Sequence, residues 1–142
     1  MSSSLIHILV VDDDSFTAEV TGMILDEPEY EIVLAYSGID ALAKIASDPL
    51  IRVVISDMNM PGISGIQLFT GMRERGYKLP FVLLTGDDSP PLSLEYPMDA
   101  IVTKDAALEV ILPKVVASLL SKSQPFLMPD STDTTLSPAS TN

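Results

Sequence analysis

The chain has 142 residues, 46% of them apolar, with a mean hydropathy of +0.33 and a formal charge of −12. One domain of ordinary size with a real core is expected, and a disordered chain is excluded. Without cysteine there is no disulfide, iron–sulfur cluster or thiolate zinc site, and the acidic balance opposes nucleic acid or anionic membrane while permitting a divalent cation.

Met1 to Ser4 is a polar leader, and Ile6 to Val11 reads as a first strand closed by Asp12, Asp13 and Asp14. Asp14 or Ser15 can cap the following helix, whose Phe16, Val20, Met23 and Ile24 share one face; Gly22 weakens it and Pro28 lies beyond its end. Glu31 to Tyr36 is a second strand. Ser37 caps a second helix with Leu42, Ile45 and Ala46 on its inner face, and Asp48-Pro49 stops it. Ile51 to Asp57 is an Ile/Val run buried on both faces and ending in a carboxylate, followed by a loop built on Pro61, Gly62 and Gly65. A helix from about Ser64 to Glu74 carries Ile66, Phe69 and Met72 on one stripe, and Gly76 ends it. Pro80 to Leu84 is a fourth strand finishing at Thr85 and Gly86; Ala100 to Thr103 is a weaker fifth finishing at Lys104.

Two regions break this rhythm. Between Thr85 and Ala100 three prolines and no long apolar repeat predict a loop with at most a turn or two, a stunted fourth helix. Pro113 falls inside a helical run from Ala106 to Leu120; the helix body is expected to start there, after a looser lead-in from Asp105 to Ile111. From Ser121 the Ser, Thr, Pro and Asp content predicts a disordered tail or linker stub, too short for an output domain. The expected division is a folded unit over 1–120 and a tail over 121–142. The alternation of strands and helices predicts an α/β fold, a doubly wound five-stranded parallel sheet of flavodoxin-like order 2-1-3-4-5 with right-handed crossovers.

In such a sheet the ends of the first, third, fourth and fifth strands converge at one edge. Here they carry Asp12-Asp13, Asp57, Thr85 and Lys104. Crowded carboxylates must protonate or find a cation, and Mg²⁺ above all accepts oxygen ligands while keeping waters. With one Lys for fixed charge and one Thr hydroxyl, the set suits phosphoryl transfer to Asp57 as nucleophile. Singly, each residue has a plainer reading: Asp12 to Asp14 as a capping cluster, Asp57 as a turn cap, Thr85 as a strand end, Lys104 as a surface charge. His7 is assigned no role, and Met58 and Met60 read as packing residues. Co-location at carboxyl ends is what outweighs the plainer readings.

On V-V-D-D (Val10 to Asp13), D-M-N-M-P-G-I-S-G (Asp57 to Gly65), Thr85 and Lys104, the sequence resembles the receiver domain of two-component response regulators over about Leu5 to Leu120. The resemblance implies that Asp57 accepts a phosphoryl group from a phosphohistidine of a sensor histidine kinase or phosphotransfer protein. It implies Mg²⁺ held by Asp13, Asp57 and the backbone carbonyl of Asn59, with Asp12 direct or through water. Lys104 would bind the phosphoryl group, and Thr85 would swing toward it. Slow self-dephosphorylation is implied, tuned by Asn59 and Asp87, as is a downstream effector protein that reads the modified state.

This chain departs from the family at three places, one of them a Thr85-to-Lys104 interval a few residues shorter than typical, in keeping with the stunted fourth helix. Asp105 stands where a proline usually follows the Lys, so a trans bond is expected there. Asp105 then either competes for Lys104 or caps the last helix. Ile101 stands where many members carry an aromatic coupled to the Thr. Two other functions are weighed: a metal-dependent phosphohydrolase, which would want a carboxylate where Asn59 stands, and a phosphorylation-independent receiver-like binding module. No apolar run approaches bilayer-spanning length and no Lys or Arg precedes the first apolar run, so no membrane insertion, no secretory leader and a cytoplasmic location are expected.

Overall fold

The computed structural model describes residues 5–86 and 98–123. Among them are strands β1 (Ile6–Val11), β2 (Tyr30–Ala35), β3 (Ile51–Asp57), β4 (Phe81–Thr85) and β5 (Ala100–Thr103). The helices are α1 (Ser15–Ile24), α2 (Gly38–Ser47), α3 (Gly65–Glu74) and α4 (Leu108–Ser123). The strands form one parallel sheet in the order β2-β1-β3-β4-β5, the order expected. After β1 the chain steps outward to β2 and then crosses back to β3, so the strand order reverses between β1 and β3. Open α/β sheets keep their sites at the carboxyl ends beside such a reversal.

Alternation along each strand divides the core. Ile8, Val10, Val53, Ile55, Val82 and Leu84 pack with Leu112 and Val116 of α4 and with Ala18 of α1. Leu9, Val11, Val54, Phe81 and Leu83 pack on the other side with Ala41, Ile45, Leu68, Phe69 and Met72 of α2 and α3. Successive side chains of one strand therefore enter opposite cores, which is why β3 and β4 read as unbroken apolar runs.

The helix faces differ from expectation. In α1, Phe16 and Met23 are 72% and 71% exposed, while Ala18, Thr21 and Gly22 are buried. Small side chains let the helix lie close to β2: a Cβ on Gly22 would come within 3.0 Å of Ile32 Cγ2. In α2, Ala41 takes the inner position expected of Ala46, which is exposed. The last helix begins at Leu108, so Pro113 lies inside it rather than opening it. Asp105 organises that start, its side chain accepting from Ala107 N at 2.9 Å and its carbonyl from Leu108 N at 3.0 Å. The helix continues to Ser123, so the expected tail boundary at residue 121 falls three residues early; residues 124–142 of that tail, and residues 87–97 of the expected stunted helix, lie outside the described residues.

Candidate functional site

Each candidate side chain sits where a strand gives way to a loop. Asp12 follows β1, and its backbone N–H still donates to Ala35 O at 3.0 Å, so β2 holds it in line. Its carboxylate accepts from Asp14 N at 3.0 Å. Asp14 itself caps α1, accepting from Phe16 N and Thr17 N, and is thereby taken out of the site. Asp57 ends β3 opposite Leu84, and Met58 N donates to Leu84 O at 2.9 Å. Lys104 follows β5, its N–H donating to Thr85 O at 2.8 Å, which joins the ends of β4 and β5.

The loop after Asp57 is held by close backbone approach. Gly65 N donates to Met58 O at 2.9 Å. A Cβ on Gly65 would stand 2.4 Å from Asp57 O, so only glycine fits. Gly62 makes the intervening turn at φ +82°. Ser64 and Gln67 form a capping box at the start of α3. Fully buried Ser56, which the sequence reading passed over, donates its hydroxyl to Asp57 O at 2.9 Å. Its signal was a small polar residue between the apolar run Val53 to Ile55 and Asp57.

These constraints bring Asp12, Asp13 and Asp57 together, with one ligand oxygen from each within 4.8 Å of the others. Asp12 and Asp57 are buried and Asp13 is exposed, which leaves the cluster one open side. Lys104 Nζ lies 2.6 Å from Asp57 Oδ1 and 3.8 Å from Asp12 Oδ2. Burial pushes the Asp12 carboxyl above the usual aspartate range, and the charges of Asp57 and Asp13 push the same way. The Asp14 amide and Lys104 oppose that shift. One ammonium cannot balance three carboxylates, and a hard divalent cation with oxygen ligands fits the imbalance.

Thr85 ends β4 and is 3% exposed. Asn59 is exposed and lines a shallow depression with Met60, Pro61 and Ser64. The Lys104–Asp105 peptide is trans, and the Asp105 carboxylate is engaged at the start of α4 rather than on Lys104. Ile101 pairs with Leu83 and packs, partly buried, against the α2/α3 core. Asp87 lies outside the described residues. His7, left without a role above, places Nδ1 2.7 Å from Asp48 Oδ2 at the far end of the sheet. Among the described residues no helix is long and apolar enough to cross a membrane.

Comparison with known proteins points to a single family. Response regulator MprA of Mycobacterium bovis (strain BCG / Pasteur 1173P2) is 35% identical over 123 residues, covering 84% of this chain and 53% of that protein. The uncharacterized transcriptional regulatory protein YkoG of Bacillus subtilis (strain 168) is 29% identical over 116 residues, 80% of this chain and 50% of the relative. The chain spans about half the length of the curated relatives it matches. Among solved structures, the Thermotoga maritima response regulator protein TrrA in complex with Mg²⁺-BeF gives a TM-score of 0.71 at 33% identity, over 80% of this chain and 97% of that one. The Francisella response regulator 1452 receiver domain gives 0.74 at 25% identity, over 83% and 98%. Residues 8–116 match the model of the response regulator receiver domain. With the sheet order, the acidic trio and that match in agreement, the chain belongs to the receiver-domain family of response regulators, the signalling domains of two-component systems.

Proposed function

We propose that Asp57 is the phosphoacceptor of a two-component phosphorelay. A carboxylate oxygen of Asp57 attacks the phosphorus of a phosphohistidine on a sensor histidine kinase or phosphotransfer protein. The P–N bond breaks, the imidazole nitrogen keeps its electron pair, and an acyl phosphate forms on Asp57. The observation that carries this reading is Lys104 Nζ at 2.6 Å from Asp57 Oδ1, beside two further carboxylates within ligand distance.

Asp12, Asp13, Asp57 and the Asn59 backbone carbonyl are the ligands we assign to Mg²⁺, which would neutralise charge on the transferring phosphoryl oxygens. The complex of TrrA with Mg²⁺-BeF supports that assignment. Lys104, now paired with Asp57, turns its ammonium to the phosphoryl group once the carboxylate is phosphorylated. The Thr85 hydroxyl moves toward the same group and so reports the modified state to a face read by a downstream effector protein. Water slowly hydrolyses the acyl phosphate at the same site. The receiver unit is assigned to residues 1–123, through the end of α4, and the remainder to a tail, acting in the cytoplasm without direct nucleic-acid contact.

Incubation of the chain with acetyl phosphate and Mg²⁺, followed by a phosphate-affinity mobility-shift gel, tests the reading. A retarded band is expected that vanishes with EDTA and in Asp57→Ala. Turnover of unrelated phosphate esters without a retarded band would favour a phosphohydrolase. An unmodified, inert chain would leave a phosphorylation-independent binding module.

A further inference from the structure

At the opposite end of β3 and β4 from Asp57 and Thr85 lies an open cleft of about 430 Å³. Its apolar surface comes from Ile45, Ile51, Leu79 and Pro80, with Tyr77 alongside. Arg52 and Lys78 also line it. They are two of only eight Lys and Arg residues in a chain of net charge −12. Neither makes an ion pair or side-chain hydrogen bond among the described residues. The carboxylate that also lines the cleft, Asp48, is engaged elsewhere: it takes His7 Nδ1 at 2.7 Å and Leu50 N at 3.0 Å. Two cationic residues without a partner among the described residues therefore line a largely apolar cleft whose own acid is already engaged.

We infer that this cleft is a binding site for a small organic carboxylate with an apolar body. Its volume falls in the range of small-molecule pockets, roughly 300–1,000 Å³, and the lining has their composition, apolar walls with a few charged groups to orient the ligand. The carboxylate pairs with Arg52 or Lys78, and the apolar body lies over Ile51 and Leu79. An extended peptide is a poorer occupant. Adding a strand requires an exposed sheet edge, and β3 and β4 are both interior in the order β2-β1-β3-β4-β5.

The test is a titration of the ¹⁵N-labelled full chain with 3-phenylpropionate, followed by amide NMR. Saturable shifts are expected at the amides of residues 50–52 and 76–79. The neutral isostere 3-phenylpropan-1-ol should bind at least about tenfold more weakly, a loss expected for one charge-assisted contact. A similar loss is expected in the Arg52→Gln/Lys78→Gln double variant, whose unshifted spectrum elsewhere reports an intact fold. Asp57→Ala should bind as the parent does, which separates this site from the phosphoacceptor. Absence of saturable shifts, equal binding of the alcohol, or binding unchanged in the double variant overturns the inference. Saturation by an acidic peptide but not by the small acid also overturns it.

Discussion

Gly65 shows how a single hydrogen atom in place of a methyl holds the phosphoacceptor loop. A Cβ there would meet Asp57 O at 2.4 Å, Leu83 Cδ1 at 2.7 Å and Met58 Cα at 3.1 Å. Two of those three neighbours are backbone, which cannot turn aside as a side chain can. Gly65→Ala should therefore push the start of α3 off the end of β3 and destabilise the fold by about 2 kcal/mol, within the range for overpacking. Gly71 is the internal control. Its Cβ would meet only Arg75 Nη1 at 3.3 Å and Leu42 Cδ1 at 3.9 Å, both ends of flexible side chains. Gly71→Ala should leave stability unchanged or raise it by up to about 1 kcal/mol, because alanine suits a helix interior better. Urea unfolding of the two variants checks the contrast, and equal midpoints would show that the loop is not held by this approach.

Between elements, the His7–Asp48 pair ties the start of β1 to the turn between α2 and β3. The hydrogen bond from His7 holds the Asp48 carboxyl below its ordinary value of 3.8, aided by the Leu50 amide and opposed by burial. A carboxyl depressed by folding contributes stability that is complete above its unfolded pKa and is lost as pH falls through the folded one. Asp48→Asn should thus be less stable than the parent at neutral pH, and the two should converge below about pH 3.8, the ordinary value. Denaturant midpoints across an acid series measure this, and a gap that persists at low pH would place the effect outside the ionised pair. The pair had no local signal in the sequence, since 41 residues separate its members. Strands were legible because Ile and Val runs buried on two faces have few other readings. Helix faces were less so. In α1, Ala18 and Gly22 pack while Phe16 and Met23 stay outside, and apolar periodicity ranks those pairs the other way round. Pro113 misled for a related reason. A helix of 16 residues packed through Leu112, Val116, Leu119 and Leu120 offsets one missing N–H, although proline alone argues for a boundary. The site was the most legible feature, because topology alone brings the ends of β1, β3, β4 and β5 to one edge.

At the scale of the whole molecule, a net charge of −12 repels itself, and part of that repulsion is concentrated in Asp12, Asp13 and Asp57. The two contributions respond differently to ions. Diffuse repulsion is screened by any salt, over a Debye length of about 10 Å at 0.1 M and about 3 Å at 1 M. The cluster instead gains from a cation that binds the native state alone, by about 2.7 kcal/mol at a hundred times its dissociation constant. NaCl should therefore raise the thermal midpoint smoothly, and MgCl₂ should raise it further at matched ionic strength. In Asp13→Asn/Asp57→Asn the extra rise with Mg²⁺ should disappear while the NaCl rise remains. Without Mg²⁺ that variant sheds like charges lying within 4.8 Å of one another but also loses the Lys104–Asp57 pair at 2.6 Å, so the two effects oppose each other. Thermal unfolding in the two salts decides the matter. If Mg²⁺ and NaCl act alike on the parent, the carboxylates are a screened patch rather than a site. If the variant keeps the Mg²⁺ increment, the ion binds elsewhere on the acidic surface.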